Sequence, residues 1–520
     1  MPTPPNRYDS VLYPSFTHPQ THPNRLAVIG TLLGLKPALP TRCRVLEVGC
    51  GDASNLVPMA STLPQSEFVG VDLAVRPIAK GKETIAALGL RNISLIEGDL
   101  NEINVDLGKF DYIIAHGLYS WVPSEIRERL LELCRELLTA HGIAFVSYNA
   151  LPGGHMRSML REMMLFHVRG FESAQERIEQ ARALMKFLAQ GQPSADESRA
   201  FLKAEFERAL EHEPSYLYHD HLGEINEPCY FTQFIERATA HRLQYLAEAD
   251  YFEMSDHAFP PPVRQALSQL AGNRIQREQY LDFLKCRRFR QTLLCQSELT
   301  LRAEPNAEDV MRFAVLSPAR RTSEEARLQP GITCTFQGAN GFRCETDFAL
   351  GKAALSVLTP LCPTSLSFEE TLARSLQLLN EKGVKCDQTP YSREQLAHFL
   401  LRVYGVGLVD FRATQPPVAT RVSEKPTASP LARWQIQQGN SVTSLFHLAV
   451  QVEDEIGKNL LFWLDGTLDR QMLREQLWRF LQEKNALTIV DGDITGARRK
   501  VEGELETNLQ KLARMGLLVA

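Results

Sequence analysis

The chain has 520 residues, 44% of them hydrophobic and 23% charged, with 57 Lys and Arg against 62 Asp and Glu. Both fractions are those of a globular protein, which excludes disordered, collagen-like and coiled-coil chains, and the length suits about three to four domains. A net charge of −5 offers no global attraction to a phosphate backbone, so nucleic acid is not expected as a partner.

No apolar run approaches the ~18–20 residues of a membrane-spanning helix, so no membrane insertion is expected. The opening Met1-Pro2-Thr3-Pro4-Pro5-Asn6-Arg7 has no apolar stretch of the kind a secretory signal needs. Ten cysteines lie scattered without a CxxC pair or zinc-ligand spacing. They read as reduced core thiols of a cytoplasmic protein with no metal site.

From about 42 to 150, short apolar strands alternate with helical patterns. Strands are predicted at Arg44–Val48, Ser66–Val71, Ile93–Glu97, Phe110–Ala115 and Ile143–Tyr148, with helices over 75–88 and 124–138. In the second helix Ile126, Leu130, Leu133 and Leu137 recur at helical spacing. This alternation predicts an α/β fold with a doubly wound parallel sheet. Residues 155–212 then read as almost continuous helix, broken near Gly191-Gln192-Pro193. The α/β rhythm resumes with a helix at Phe231–Ala240 and strands at Leu243–Glu248 and Arg290–Cys295, with a helical piece over 260–288 between them. A helical insertion (155–229) therefore interrupts a sheet domain (1–154) that is completed by 230–300.

Residues 301–410 form a mixed middle region. It holds a hairpin around Gly338-Ala339-Asn340-Gly341, because Asn-Gly between two apolar runs is a strong turn signal. Helices are predicted at 366–380 and 392–403. Four prolines within 411–431 mark a linker, taken as 411–435, before a small helical C-terminal region at 436–520.

The chemistry centres on Glu47-Val48-Gly49-Cys50-Gly51-Asp52-Ala53-Ser54-Asn55, directly after the first strand and before a helix. Gly49 and Gly51 let the backbone turn tightly and approach a ligand. A dinucleotide fingerprint needs a third glycine where Ser54 stands. The spacing fits an S-adenosylmethionine loop better: Glu47 supplies an acid for the methionine ammonium, and no phosphate has to be bound. Asp72, after the second strand, is placed to accept the ribose hydroxyls, with Leu73 beside it. Asp99 and Leu100, after the third strand, are placed for the adenine, and Asn55 closes the loop. Each acid alone could equally be a helix cap or turn residue.

With these residues in view, the chain resembles class I S-adenosylmethionine-dependent methyltransferases that carry a methyltransferase regulatory domain, among them the rickettsial-type protein lysine methyltransferases. The resemblance is carried by Tyr13-Pro14-Ser15-Phe16, Gln20-Thr21-His22-Pro23-Asn24-Arg25-Leu26, His116-Gly117-Leu118-Tyr119-Ser120-Trp121-Val122-Pro123 and Tyr148-Asn149-Ala150-Leu151-Pro152-Gly153-Gly154-His155. It continues through Tyr216–Leu222, Asn226–Phe231, Tyr245–Ala249, Asp282–Leu284 and Arg287–Leu294. Leu461–Arg470 resembles the family's C-terminal winged-helix domain. The resemblance implies a Rossmann-like seven-stranded core with a helical insertion, a regulatory-domain-like segment at 230–300, and a winged-helix-like domain at 436–520. It also implies S-adenosylmethionine as cofactor and a protein substrate, with lysine as acceptor.

Cofactor contacts are expected from His22, Glu47, Gly49, Gly51, Asn55, Asp72, Leu73, Asp99, Leu100 and His116. Near the acceptor, Tyr119, Trp121 and Tyr148 are expected to supply an aromatic pocket, Asn149 a carbonyl oxygen for the amine, and His155 a base. Tyr119 and Trp121 equally fit plain packing, and His155 a helix cap. Two departures stand out: Ala53 replaces a third glycine, and Gly154 stands where the family pattern has Trp. The readings that compete are a small-molecule methyltransferase with accessory C-terminal domains and a non-enzymatic S-adenosylmethionine-binding module. The insertion is a candidate homodimer interface.

Overall fold

The computed structural model describes residues 11, 13, 16–103, 105–192, 196–322, 328–385, 390–419, 421–487 and 493–519. Pro14 and Ser15 of the N-terminal motif, Pro193 of the predicted helix break and Cys386 lie outside the described residues.

Seven strands form one sheet: β1 (Arg44–Val48), β2 (Glu67–Asp72), β3 (Ile93–Glu97), β4 (Phe110–Ala115), β5 (Leu138–Asn149), β6 (Leu243–Glu248) and β7 (Phe289–Gln296). Their order is β3-β2-β1-β4-β5-β7-β6, and β7 runs antiparallel to both of its neighbours. Central strands such as Val45-Leu46-Glu47-Val48 are buried on both faces, which is why they read as near-continuous apolar runs. The carboxyl ends of β1 to β5 and the start of β7 share one edge, where open α/β sheets bind ligands.

The predicted strands are present, and β7 runs one residue further at each end than expected. β2 starts and ends one residue later than the sequence pattern suggests. β5 begins at Leu138 rather than Ile143, its early half pairing with β4 across a register shift between Phe110 and Tyr112. The predicted continuous helix of 155–212 is three helices, Gly154–His167, Ala174–Gln190 and Glu197–Glu211, with a fourth at Pro214–Asp220. Leu160, Met164, Met185, Phe206 and Leu217 give this insertion its own core. The cysteine reading also needs correction: Cys286 is exposed, capping the helix Arg274–Lys285 with a left-handed φ of 45°.

The middle region contains the expected hairpin, with Cys334–Gln337 paired to Arg343–Thr346. It also holds a helix, Ala349–Leu358, that the sequence pattern did not reveal. The N-terminal helix Pro23–Leu32 joins the parts. Its Leu26 and Ile29 lie in the sheet core, while Val28 and Leu32 lie in the core of the middle region. Arg25 reaches both Asp250 and Asp410, and Asn24 exchanges two hydrogen bonds with the backbone of Thr414. Among the described residues, no helix is long and apolar enough to cross a membrane.

The two strands supplied late in the chain are held by a buried ion cluster. Arg290, 1% exposed, donates to Glu248 Oε1 at 2.6 Å, to both oxygens of Asp282 at 2.8 Å and to Glu278 Oε2 at 3.1 Å. Its guanidinium lies 3.9 Å from the Phe231 ring centroid. Burial pushes the Asp282 carboxyl up to about 6, against the pull of Arg290 and Arg287. Removing one member of such a cluster leaves buried charge uncompensated, so Arg290→Met should cost about 3–5 kcal/mol. Arg290→Lys should not restore it, since an ammonium cannot span three carboxylates. Urea unfolding followed by circular dichroism checks this; a loss for Arg290→Met below ~1 kcal/mol, the scale of an exposed pair, would show that the cluster is not structural cement.

Candidate functional site

The glycine loop leaves β1 under strict backbone constraint. Gly49, Gly51 and Ala53 have φ values of 74°, 55° and 59°. The third position of the loop thus keeps the left-handed conformation although its residue has a Cβ. The loop is pinned to β2: the amides of Gly49 and Cys50 donate to the Val71 carbonyl, and that of Gly51 to Asp72 Oδ2 at 2.8 Å. Asp72 Oδ1 accepts from the Ala74 amide, also at 2.8 Å. From the other side Gly81 brings the helix Val75–Leu88 against the loop; a Cβ there would meet the Asp52 carbonyl oxygen at 2.8 Å.

Behind the loop lies a network centred on Asn55. Its Nδ2 donates to Glu47 Oε1 at 2.8 Å and to Thr21 Oγ1 at 3.0 Å. Its Oδ1 accepts from the His18 amide and from His447 Nε2, each at 2.9 Å. Glu47 is 4% exposed, and its Oε2 is buried with no hydrogen-bond partner. Burial pushes its carboxyl up to about 8, opposed by the Asn55 hydrogen bond. An unsatisfied buried carboxylate oxygen is the complement of an ammonium group, so the residues present fit the amino-acid end of S-adenosylmethionine.

The other expected cofactor residues share this edge. Asp99 Oδ1 accepts from the Asn101 amide, and Leu100 packs on the sheet core behind it. Leu73 is exposed beside Asp72. His22 caps the helix Pro23–Leu32, its Nδ1 accepting from the Asn24 amide at 3.1 Å. His116 follows β4, with its ring centroid 3.9 Å from that of His18. Burial holds His18 down to about 4 and His22 and His116 down to about 3, so these imidazoles are neutral at pH 7.

The expected acceptor residues divide. Trp121 is half-buried and His155 is exposed in the first turn of the helix Gly154–His167. Tyr119 and Tyr148 are not brought to a surface. Both rings are fully buried and pack against Phe234, and Tyr148 hydrogen-bonds Thr292 Oγ1. Asn149 is buried too, its Oδ1 accepting from Arg157 Nη1 at 3.2 Å and its Nδ2 donating to Asn226. Gly154 leaves no hollow for an indole, since a Cβ there would already meet Pro228 at 3.0 Å. Its neighbour Gly153 is the stricter glycine, because any Cβ would collide with the carbonyls of Cys286 and Arg287.

Sequence reasoning missed His18, Thr21 and His447. The first two lie in Thr17-His18-Pro19-Gln20-Thr21-His22-Pro23, where a doubled His-Pro pair was an available signal. His447 comes from 392 residues beyond Asn55, and nothing local marks it.

Comparisons with known proteins agree with this geometry. Residues 45–142 match the family "Methyltransferase domain", 213–296 "Predicted methyltransferase regulatory domain", and 424–517 "PKMT, C-terminal winged helix domain". An uncharacterized protein of Rickettsia prowazekii, RP789, is 31% identical over 99% of this chain and 94% of its own. PKMT2 from Rickettsia typhi, solved in complex with AdoHcy, is 30% identical over 98% of this chain and 100% of that one, with a TM-score of 0.84. The chain belongs to the class I S-adenosylmethionine-dependent methyltransferases with a regulatory domain. S-adenosylmethionine is its cofactor, the sheet is the Rossmann-like methyltransferase core, and the C-terminal region is a winged-helix domain.

In this methyltransferase the Glu47 carboxyl holds its proton below about pH 8, and an ammonium seated against Oε2 should drive that proton off. Binding of S-adenosylhomocysteine at pH 6.5 should therefore release close to one proton. Affinity should fall about tenfold per pH unit as pH drops further, because each binding event releases a proton against a rising proton concentration. Calorimetry in buffers of different ionisation enthalpy measures the release. Glu47→Gln should bind about tenfold or more weakly and release none, the scale of a lost charge-assisted hydrogen bond. Equal proton release by wild type and variant would place the ammonium elsewhere.

Proposed function

We propose that this methyltransferase modifies protein side chains, with lysine as the acceptor. The observation that carries the reading is its likeness along the whole chain, winged-helix domain included, to a structure named PKMT2. The sequence motifs that resemble protein lysine methyltransferases support it. So does the length of chain beyond the sheet, about 220 residues after position 300, which a small-molecule enzyme does not need.

In this reading Glu47, oriented by Asn55, holds the cofactor ammonium. Gly49 and Gly51 admit its backbone close to the loop. Asp72, at the end of β2, accepts from the ribose hydroxyls. Leu73, Asp99 and Leu100 receive the adenine, and His22 and His116 flank the site from the N-terminal segment and β4. Bound S-adenosylmethionine supplies a methyl group on a sulfonium, a leaving group that needs no acid. The protein's task is then to hold the acceptor nitrogen in line and unprotonated. The buried histidines are too weakly basic to take that proton, so they orient rather than act as bases. Trp121 and the exposed ring of Phe289, at the start of β7, offer aromatic faces to the alkyl-ammonium. His155, exposed at the same edge, is the base. Tyr119 and Tyr148 support these groups from the core.

The insertion supports a homodimer: Phe166 and Phe187 on its surface are 70% and 69% exposed, an unusual display for rings of this size. Sedimentation should give twice the 58.6 kDa chain mass, and Phe187→Glu should shift it toward the monomer.

The function is tested with tritiated S-adenosylmethionine, the purified protein and a heat-treated lysate of its own source. Enzyme-dependent label should enter acid-precipitable protein, and hydrolysis should return it as methyl-lysine. Asp72→Ala should raise the KM for S-adenosylmethionine about tenfold or more, since it removes two hydrogen bonds. Label confined to small molecules would overturn the protein-substrate reading.

A further inference from the structure

His447 sits at the tip of a hairpin of the C-terminal domain, between the strands Ser441–Thr443 and Ala449–Gln451. Hairpin tips normally face solvent. Here Ser444, Leu445, Phe446 and His447 are all buried. Phe446 lies under the Arg412 guanidinium at 4.8 Å, and the His447 ring meets His22 edge-on at 5.2 Å. Leu431, from the same C-terminal side of the chain, is part of the sheet core, and the helix Pro430–Gln435 packs on the helix Val75–Leu88. The tip is therefore seated against the cofactor loop rather than left free.

Its hydrogen bond has a fixed direction. The His18 backbone amide can only donate, so it identifies Asn55 Oδ1 as the acceptor, and that places the Asn55 NH2 toward Glu47 and Thr21. His447 Nε2 must then donate to Oδ1. Both hydrogens and both lone pairs of the Asn55 amide are used. The arrangement has room for one orientation of that amide only, and the amide in turn orients Glu47. His447 holds a left-handed φ of 61°, a backbone cost that the docked position sustains.

We propose that His447 is a positioning residue of the cofactor site, so that docking of the C-terminal domain and binding of S-adenosylmethionine form one coupled equilibrium. The hairpin tip completes the cage around Asn55; without it Oδ1 keeps only the His18 amide, and the hold of Asn55 on Glu47 is loosened. Linkage then requires the converse: bound cofactor must strengthen docking of the C-terminal domain. This rests on the reading that Glu47 holds the cofactor ammonium.

The test uses the full chain, S-adenosylhomocysteine as probe, and the variants His447→Ala, His447→Gln and Glu47→Gln. His447→Ala should weaken binding about tenfold, the scale of one hydrogen bond in a buried network, and His447→Gln, whose amide can donate to Asn55, should recover most of it. Trypsin cleavage at the exposed Arg421 and Lys425, where the chain enters the C-terminal domain, gives the converse readout. Saturating S-adenosylhomocysteine should slow that cleavage in wild type and His447→Gln but not in His447→Ala. Unchanged affinity in His447→Ala while Glu47→Gln binds weakly would overturn the coupling and leave the cofactor assignment standing. Unchanged affinity in Glu47→Gln would overturn that assignment and the proposal with it. Wild-type cleavage indifferent to the ligand would also overturn the coupling, whatever the variants do.

Discussion

A carboxylate buried at the end of a parallel strand is the constraint from which the rest of the site follows. Glu47 cannot stay ionised in that position unless something donates to it. Asn55 gives one hydrogen bond, to Oε1, and the other oxygen has none. The loop between them must therefore turn tightly enough to bring residue 55 back over residue 47. It does so through left-handed positions at 49, 51 and 53, two of them glycine. The third, Ala53, is wholly buried in the sheet core, so its methyl group gains contacts there that partly offset the backbone cost.

The stretch matching the regulatory domain is, physically, the far side of the catalytic sheet. β6 and β7 both lie within it, and β7 pairs with β5 along six residues. The backbone of Arg287 and Arg288 accepts the amides of Gly153 and Ala150, and Cys229 bonds Asn149 on the other side. The turn after β5 is thus held on both flanks by this segment. That is why Arg290 and its carboxylates matter to the site: they fix the strand that pairs with β5 along this edge of the sheet.

Much of this was legible in the sequence, for reasons tied to particular residues. Central parallel strands announce themselves because both faces are buried, as in Val69-Gly70-Val71-Asp72. The acids at their ends were visible because ligand binding falls at a known edge of such sheets. The first half of β5 was not, because Thr139-Ala140-His141-Gly142 interrupts the apolar run where the strand crosses a register shift. The helix Ala349–Leu358 was hidden by the opposite defect: Leu350, Gly351, Ala353, Ala354, Leu355 and Leu358 are buried nearly all round, and no polar face sets a period. Tyr119 was readable either as a pocket residue or as packing, and Tyr148 only as an aromatic residue near a strand end. Whether a ring beside a strand end turns inward depends on the helix Phe231–Ala240, which begins far along the chain from both tyrosines. His447 had no local signal at all, since its meaning lies wholly in a contact across the fold.

The acceptor edge shows how the insertion enters the chemistry. Asn149 at the end of β5 is tied through Arg157 to Tyr216, and Arg157 lies 3.7 Å from Asp220. Arg288 at the start of β7 makes a two-point bond to Glu205 at 2.7 and 2.8 Å. Both strand ends at the edge proposed for the acceptor are thus anchored to the helices of the insertion, one through a buried amide and one through a two-pronged ion pair. Two-point pairs fix angle as well as distance. A shift of the insertion by even one ångström must then be felt at Asn149 and at Phe289, which follows Arg288 directly. In-line methyl transfer tolerates little misplacement, so on the proposed acceptor site the packing of the insertion would bear on the geometry of transfer.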